Sequence, residues 1–260
     1  MRIWTWNVNS IKAHFEQVSE WLKVEKPDVV CLQEIKCETP NFPTAAFEEM
    51  GYSCAVHGQK TYNGVALLAR GKIDNVERGL PGDETDEQAR FICGTIYGSG
   101  RPVTVASIYL PNGNPAPGPK YDYKLSWMKR LKAKAESMLE SEEAFVLTGD
   151  YNVIPALADM KRPEAWVNDA LWLPQSRAAF QEIENLGLTE AFRTLHPSEV
   201  AYSFWDYQAG AWPKNNGIRI DHALLSPQAA DRLIAARIHR DARGAEKPSD
   251  HVPVEIELLD

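Results

Sequence analysis

Apolar residues in this chain fall into two rhythms. Short apolar runs bounded by Gly, Pro, Asn and Asp predict strands. They are DVVCLQ (28–33), VALLAR (65–70), FICGTIY (91–97), VTVASIYL (103–110) and AFVLTGD (144–150), then IRIDHALLS (218–226) and VPVEIEL (252–258). Residues 2–7 predict a first strand, with Ile3 and Thr5 alternating against tryptophans. Spacing of three and four marks the helices. Ile11, Phe15, Val18 and Leu22 predict one over 10–25, with Asn9 or Ser10 as its N-cap and Pro27 as its stop. Leu125, Met128, Leu131, Ala135 and Met138 predict another over 121–140, and residues 177–186 form a third. No repeat of fixed period and no Ser- or Gly-rich linker divides the chain, and PNGNPAPGP (111–119) reads as a stiff loop. The expectation is one α/β domain over 1–260, two packed sheets with helices outside.

The runs share a second feature: each delivers polar residues at one end. FVLTGDYN ends in Asp150 and Asn152, VCLQE in Glu34, and IWTWN in Asn7 with Asn9 close behind. VASIYLPN ends in Tyr109 and Asn112, Asp221 lies in an apolar run, and Asp250-His251 precedes the last strand. Taken singly, a strand-end Asp or Glu is an ordinary turn or cap residue. Buried carboxylates without partners are costly, so several in strand contexts imply convergence on a shared cation or hydrogen-bond network. Glu34, Asp150 and Asp250 with Asn7 and Asn152 form an oxygen-rich donor set, joined by a single histidine, His251, and no cysteine. That set suits Mg²⁺ or Mn²⁺ rather than zinc, and the substrate class that follows is a phosphate ester.

Composition changes this picture little. At 260 residues, 44% hydrophobic and 25% charged, the chain has material for a large core, and several of its eight tryptophans must be buried. The four cysteines form no C-x-x-C pair, so a reduced, cytoplasmic protein without zinc is expected. MRIWTWNVNS has no apolar core of a signal peptide, and no run is long enough to span a membrane. The net charge of −8 argues against a wholly basic nucleic-acid surface but leaves room for a local cationic groove. Between Lys120 and Lys134, six basic residues face only Asp122, then Glu136, Glu140, Glu142 and Glu143 follow, an order that opposes the helix dipole. This reads equally as a basic stripe toward phosphates or as a solvated face.

WNVNSIKAH, LQEIK, GQKTYNGVALLAR, IYLPNG, GDYN, SFWDY, GIRIDHALLS and KPSDHVPV, in this order, resemble the exonuclease III family. These are bacterial abasic-site endonucleases of the DNase I-like endonuclease/exonuclease/phosphatase superfamily. The resemblance implies a four-layer α/β sandwich, two mixed β-sheets packed face to face, with an active site along one rim. It implies an enzyme that cleaves 5′ to abasic sites, processes 3′ ends of duplex DNA, or does both, as a monomer. Carried over by position, Glu34 is the main metal ligand, completed by Asn7 and Asp250. Asp150 orients or deprotonates the attacking water, and Asn152 bonds the phosphate and water. His251 donates to a phosphate oxygen, with Asp221 fixing its tautomer. Tyr109 faces the scissile phosphate. Asn112, Lys120, Lys36, Lys60 and Arg90 are phosphate contacts, and Phe204, Trp205 and Ile218 wall a pocket for a base-free sugar.

Three matters stay open at this point. The base is Asp150 or His251. PALADMKRPEAWVNDALWLP (155–174) follows the family only loosely, leaving the balance of endonuclease and exonuclease unsettled. A phosphoesterase on a non-DNA substrate and a non-catalytic DNA-binding module are the competing classes.

Overall fold

The computed structural model describes residues 1–98 and 100–260. In chain order the elements are β1 (Arg2–Asn7), α1 (Ile11–Glu25), β2 (Val29–Gln33), α2 (Thr44–Glu49), β3 (Ser53–His57), β4 (Val65–Ala69), β5 (Lys72–Arg78), β6 (Phe91–Tyr97) and β7 (Val103–Tyr109). There follow α3 (Pro119–Leu139), β8 (Phe145–Asp150), α4 (Pro174–Glu184), β9 (Thr189–Glu190), α5 (Ala191–Leu195), β10 (Asp221–Leu225), α6 (Pro227–Ala230), β11 (Leu233–Ile238) and β12 (Val254–Leu258). They build two six-stranded sheets, ordered β11-β12-β1-β2-β4-β3 and β5-β6-β7-β8-β10-β9. Both are mixed, because β1 runs parallel to β2 and β7 parallel to β8 while the other pairs are antiparallel.

The continuous apolar runs follow from burial on both faces. In β1, Ile3 joins Cys31, Leu67, Ile92, Val105, Val146 and Ile256 in the core between the sheets. Trp4 and Trp6 point the other way and pack with Val18, Leu22 and Phe47 of α1 and α2. On the second sheet, Phe91, Ala106 and Leu147 face outward against Trp127 and Leu131 of α3 and Phe180 and Ile183 of α4. The result is four layers: helix, sheet, sheet, helix. The Ser10 hydroxyl caps α1 by accepting from the Ala13 amide at 3.3 Å, and Lys26 at φ 49° closes it ahead of Pro27. β10 is shorter than the apolar run that announced it: Asp221 opens the strand, and Ile218 and Ile220 precede it.

The basic residues of α3 divide among burial, ion pairs and solvent. Lys124 is fully buried. Arg130 pairs with Asp86 at 2.7 Å, Lys132 with Glu182 at 3.1 Å and Lys134 with Glu77 at 2.6 Å. The helix spends its cations on its neighbours, leaving Lys120 and Lys129 exposed. No helix among the described residues is long and apolar enough to cross a membrane, and Cys31, Cys37, Cys54 and Cys93 are all unpaired.

Candidate active site

Strand register assembles the site. Parallel pairing sets Asn7 beside Gln33, so Glu34 leaves β2 next to it. In the second sheet Tyr109 and Asp221 flank Asp150 on either side. Gly149 makes that approach possible, because a Cβ there would lie 1.9 Å from the Ile108 carbonyl oxygen. Both sheets thus end their central strands on one rim. The turns leaving the strands are sharp: Asn9, Glu34, Lys36 and Asn152 all have φ between 42° and 50°. Asn tolerates that region readily, but Glu and Lys do not, so the fold holds Glu34 and Lys36 where local preference would not put them.

Asn7 is the hinge between the two sheets' acids. Its Nδ2 donates to Glu34 Oε1 and to Asp150 Oδ2, each at 2.9 Å. Lys36 pairs with the other Glu34 oxygen at 3.0 Å and also donates to Asn9 Oδ1. Asn9 Nδ2 in turn donates to Asp250 Oδ1 at 3.2 Å. Burial raises the Glu34 pKa, but Lys36 and the Asn7 amide together hold it below its ordinary value. The Tyr109 phenol is kept protonated, chiefly by burial and then by the charges of Glu34 and Asp150.

Beside this acid group stands a charged imidazole. His251 Nδ1 lies 2.8 Å from Asp221 Oδ2, and its Nε2 lies 3.7 Å from Asp150 Oδ2. Burial opposes the histidine's charge, yet Asp221 and Asp150 outweigh it and raise its pKa to about 10. Asp150 departs from the low value expected of an aspartate: burial pushes it up to about 7, against the pull of His251. Asp221 is fixed by Ser203, whose hydroxyl donates to Oδ2 at 2.6 Å and accepts from the Ile220 and Asp221 amides. The Phe204 ring packs edge-on against His251 with centroids 4.9 Å apart.

On the far side of Asp150, its Oδ1 accepts from the Asn152 amide at 2.9 Å. The Asn152 carboxamide is stretched between Leu110 O at 2.9 Å and Asn112 Nδ2 at 3.2 Å. Arg90 lies over the Tyr109 ring at 4.7 Å. The structure therefore gathers Asn7, Glu34, Lys36, Arg90, Tyr109, Asn112, Asp150, Asn152, Phe204, Asp221, Asp250 and His251. Lys60 and Lys120 are exposed and stand outside this hydrogen-bonded network. Trp205 is a correction: it is fully buried, with its ring against Tyr202 and Trp212, and offers a sugar no face. Ile218 is buried too, packed with Ile154, Met160, Leu171 and Ile220, while Trp166, Trp172 and Phe204 cover that cluster from outside. Segment 155–174 is anchored there by the Met160–Ile218 bridge.

Two residues escaped sequence reasoning. Ser203 carried a signal in SFWDY but was read only as part of a motif. Lys124 carried none, since its burial depends on how α3 packs.

The donor chemistry fits a hard divalent cation. Glu34 and Asp150 converge on the one amide nitrogen of Asn7, where a cation would relieve their repulsion. Asp150, Asp221 and His251 also offer three ligand atoms within 4.8 Å. In that second group His251 is committed to Asp221 and cationic, and a protonated imidazole has no lone pair to give, so the Glu34 side is the better seat.

A model of the endonuclease/exonuclease/phosphatase family matches residues 4–251, a span that contains the whole site. The chain belongs to the endonuclease/exonuclease/phosphatase family. Dependence on a metal is general in this family. Exodeoxyribonuclease III of Haemophilus influenzae, one of its relatives, is 32% identical over 99% of this chain and 100% of its own. The solved 3′-5′ exonuclease NExo from Neisseria meningitidis has TM-score 0.96 and 38% identity, covering 100% of both chains. A further structure of NExo, described as a 3′ phosphatase, holds a product DNA hairpin. An AP endonuclease from Archaeoglobus fulgidus has TM-score 0.94 and 36% identity, covering 99% of each chain. These likenesses extend through segment 155–174, so it belongs to the common fold despite its looser sequence match.

Proposed function

We propose that this chain hydrolyses the bond between phosphorus and a 3′ oxygen in duplex DNA, at abasic sites and at blocked or recessed 3′ ends, with Mg²⁺ or Mn²⁺. It is a DNA-repair nuclease. Incision 5′ to an abasic site, removal of a 3′ nucleotide and removal of a 3′ phosphate all release the same leaving group, a 3′ oxygen. One site can therefore serve all three. The reading rests on a single relationship: Asp150 stands between the Asn7–Glu34 pair and the Asp221–His251 pair.

Glu34 would hold the ion, with Asn7 and Asp250 beside it, and the bound ion neutralises charge on the phosphate oxygens. Asp221 occupies Nδ1 of His251, so Nε2 is the proton that meets a non-bridging oxygen of the substrate. Because that imidazole is already protonated, the water's proton goes to Asp150, whose Oδ1 accepts from the Asn152 amide and whose Oδ2 accepts from Asn7, each oxygen keeping a further lone pair. Asn152 and Asn112 present carboxamides to the phosphate, and Tyr109 a phenol. Phe204, not Trp205, is the apolar wall at the sugar.

The test is cleavage of an abasic duplex, a recessed 3′ end and a 3′-phosphate duplex by the purified chain, with Mg²⁺ and with EDTA. Metal-dependent release of 3′-hydroxyl ends is expected. Binding without turnover would make the chain a DNA-binding module. Turnover of inositol phosphates with no attack on DNA would establish the small-phosphoester alternative, which the scarcity of free cations on α3 favours.

A further inference from the structure

We propose that Lys124 is a positioning residue for Asn152, tying together from beneath the two loops that leave the parallel strands β7 and β8. This rests on the nuclease reading and deepens it. Lys124 lies on α3 with no exposure, and its Nζ donates to the Asn152 carbonyl at 2.5 Å and to the Asn112 carbonyl at 3.1 Å. Burying a lysine amine is costly, and here burial draws its pKa down to about 7, whereas an apolar residue would serve at a helix position that only packed. Lys132 and Lys134 on the same helix meet carboxylates. Among the described residues Lys124 hydrogen-bonds only to backbone oxygens, and both belong to asparagines that face the phosphate.

The local chain is shaped around this tie. Gly113 at φ 89° lies over the lysine stem, and a Cβ there would meet Lys124 Cδ at 2.7 Å. Asn152 is left-handed at φ 47°, so its carbonyl turns inward to the ammonium while its carboxamide reaches Leu110 O and Asn112 Nδ2. The tie continues outward. Asn112 Oδ1 accepts from Asn114 Nδ2 at 2.9 Å, and Asn114 Nδ2 also donates to Asp169 Oδ1 at 3.0 Å. Asn114 Oδ1 accepts from the Ala170 amide at 3.0 Å, which fastens segment 155–174 to the same loop. Without the ammonium, two inward carbonyls lose their donor and the Asn152 turn is free to relax. Displacement of a positioned group by an ångström costs orders of magnitude in rate.

The experiment compares Lys124→Met, Lys124→Arg and the control Leu131→Ala, a core substitution on the same helix, in the full chain. Turnover of recessed and abasic duplexes is measured at saturating Mg²⁺, DNA affinity by fluorescence anisotropy in EDTA, and stability by thermal unfolding. Lys124→Met is expected to lower kcat by about tenfold or more with KM and metal-free affinity nearly unchanged. In an Asn152→Ala background the same change should cost less than about twofold. Lys124→Arg, which keeps donors at the site, should recover most of kcat. A purely structural lysine would instead lower kcat equally in both backgrounds and in step with Tm, the pattern expected of Leu131→Ala, and that result overturns the proposal. Should Lys124→Met not accumulate as folded protein, Lys124→Gln takes its place and the same two-background comparison decides. Wild-type protein that cleaves no DNA removes the nuclease reading itself; wild type and variant that cleave alike remove only the role of Lys124.

Discussion

His251 and Asp221 face each other across 2.8 Å, Nδ1 to Oδ2, in a pocket where the other Asp221 oxygen is buried with no partner among the described residues. The carboxylate is therefore aimed at the imidazole and at the Ser203 hydroxyl, and little else. Burial lowers the His251 pKa, and Asp221 is the largest influence raising it, to about 10. In wild type the ring stays cationic until pH rises through that value. Asp221→Asn removes the charge but not the shape, so the ring should become neutral at lower pH. The expected outcome is a fall in kcat/KM of about 10²-fold or more, with the alkaline loss of activity starting earlier on the pH axis. A pH–rate profile and the histidine ¹⁵N shifts check both, and an unmoved alkaline limb would count against a cationic role.

The Asn7 amide donates to both Glu34 and Asp150. Asn7→Asp places a third carboxylate there. Without metal, repulsion among close carboxylates should lower Tm by about 5 °C. With Mg²⁺ the added charge becomes an added ligand, so the metal-induced rise in Tm should exceed that of wild type. Thermal unfolding in EDTA and in Mg²⁺ measures both arms. Equal metal-induced shifts would put the ion elsewhere.

Much of this architecture was legible because both faces of the central strands are buried. β2, β4, β6, β7 and β8 read as apolar runs, β1 as Ile3 and Thr5 alternating with tryptophans, and β12 as the late strand VPVEIEL. The strands that sequence missed lie largely at sheet edges: β3, β5 and β11 carry exposed polar positions and lack the signal. At the site, the acids were readable as polar ends of apolar strands. Trp205 was not, since SFWDY puts Phe204 and Trp205 side by side and only the backbone decides which one faces His251. Lys124 was hidden for a related reason: among the cations of α3, nothing in the one-dimensional pattern marks the one that points inward.

Lys60 and Arg90 separate steering from chemistry. Lys60 is exposed in the loop after β3. Lys60→Ala should weaken DNA binding and reduce the slope of log K against log salt by about 0.9, with kcat unchanged. Arg90 is half-buried over Tyr109 and donates to its carbonyl at 3.3 Å. Arg90→Ala should flatten the slope comparably and lower kcat as well, because the phenol loses its support. Binding isotherms over a salt series with parallel turnover measurements test the pair, and an unchanged slope in either variant removes that residue from the DNA contact.

Acid stability should be controlled away from the active site, at a buried ion-pair group behind β10. Arg219 is almost wholly buried, with Nε on Asp159 at 2.7 Å and Nη1 on Glu190 at 2.8 Å. Burial works to raise the Glu190 pKa, but Arg219, with His222 nearby and the Arg193 amide donating at 2.6 Å, overcomes it and holds the carboxyl at about 2, against an ordinary 4.5. A carboxyl whose folded pKa lies below its unfolded one stabilises the fold above the unfolded value, and that contribution disappears as pH falls through the folded one. The window for Glu190 is thus from about pH 4.5 down to about pH 2, and the stability at stake is on the order of 3 kcal/mol. Glu190→Gln should be less stable than wild type at pH 7, since it leaves Arg219 with one carboxylate where it had two. Its unfolding free energy should also fall less steeply with acid, by about 1.4 kcal/mol per pH unit where one proton is taken up on unfolding. Urea unfolding of both proteins from pH 7 to pH 2.5 measures this difference. Parallel acid limbs for the two would mean that Glu190 is not the proton acceptor that opens the fold.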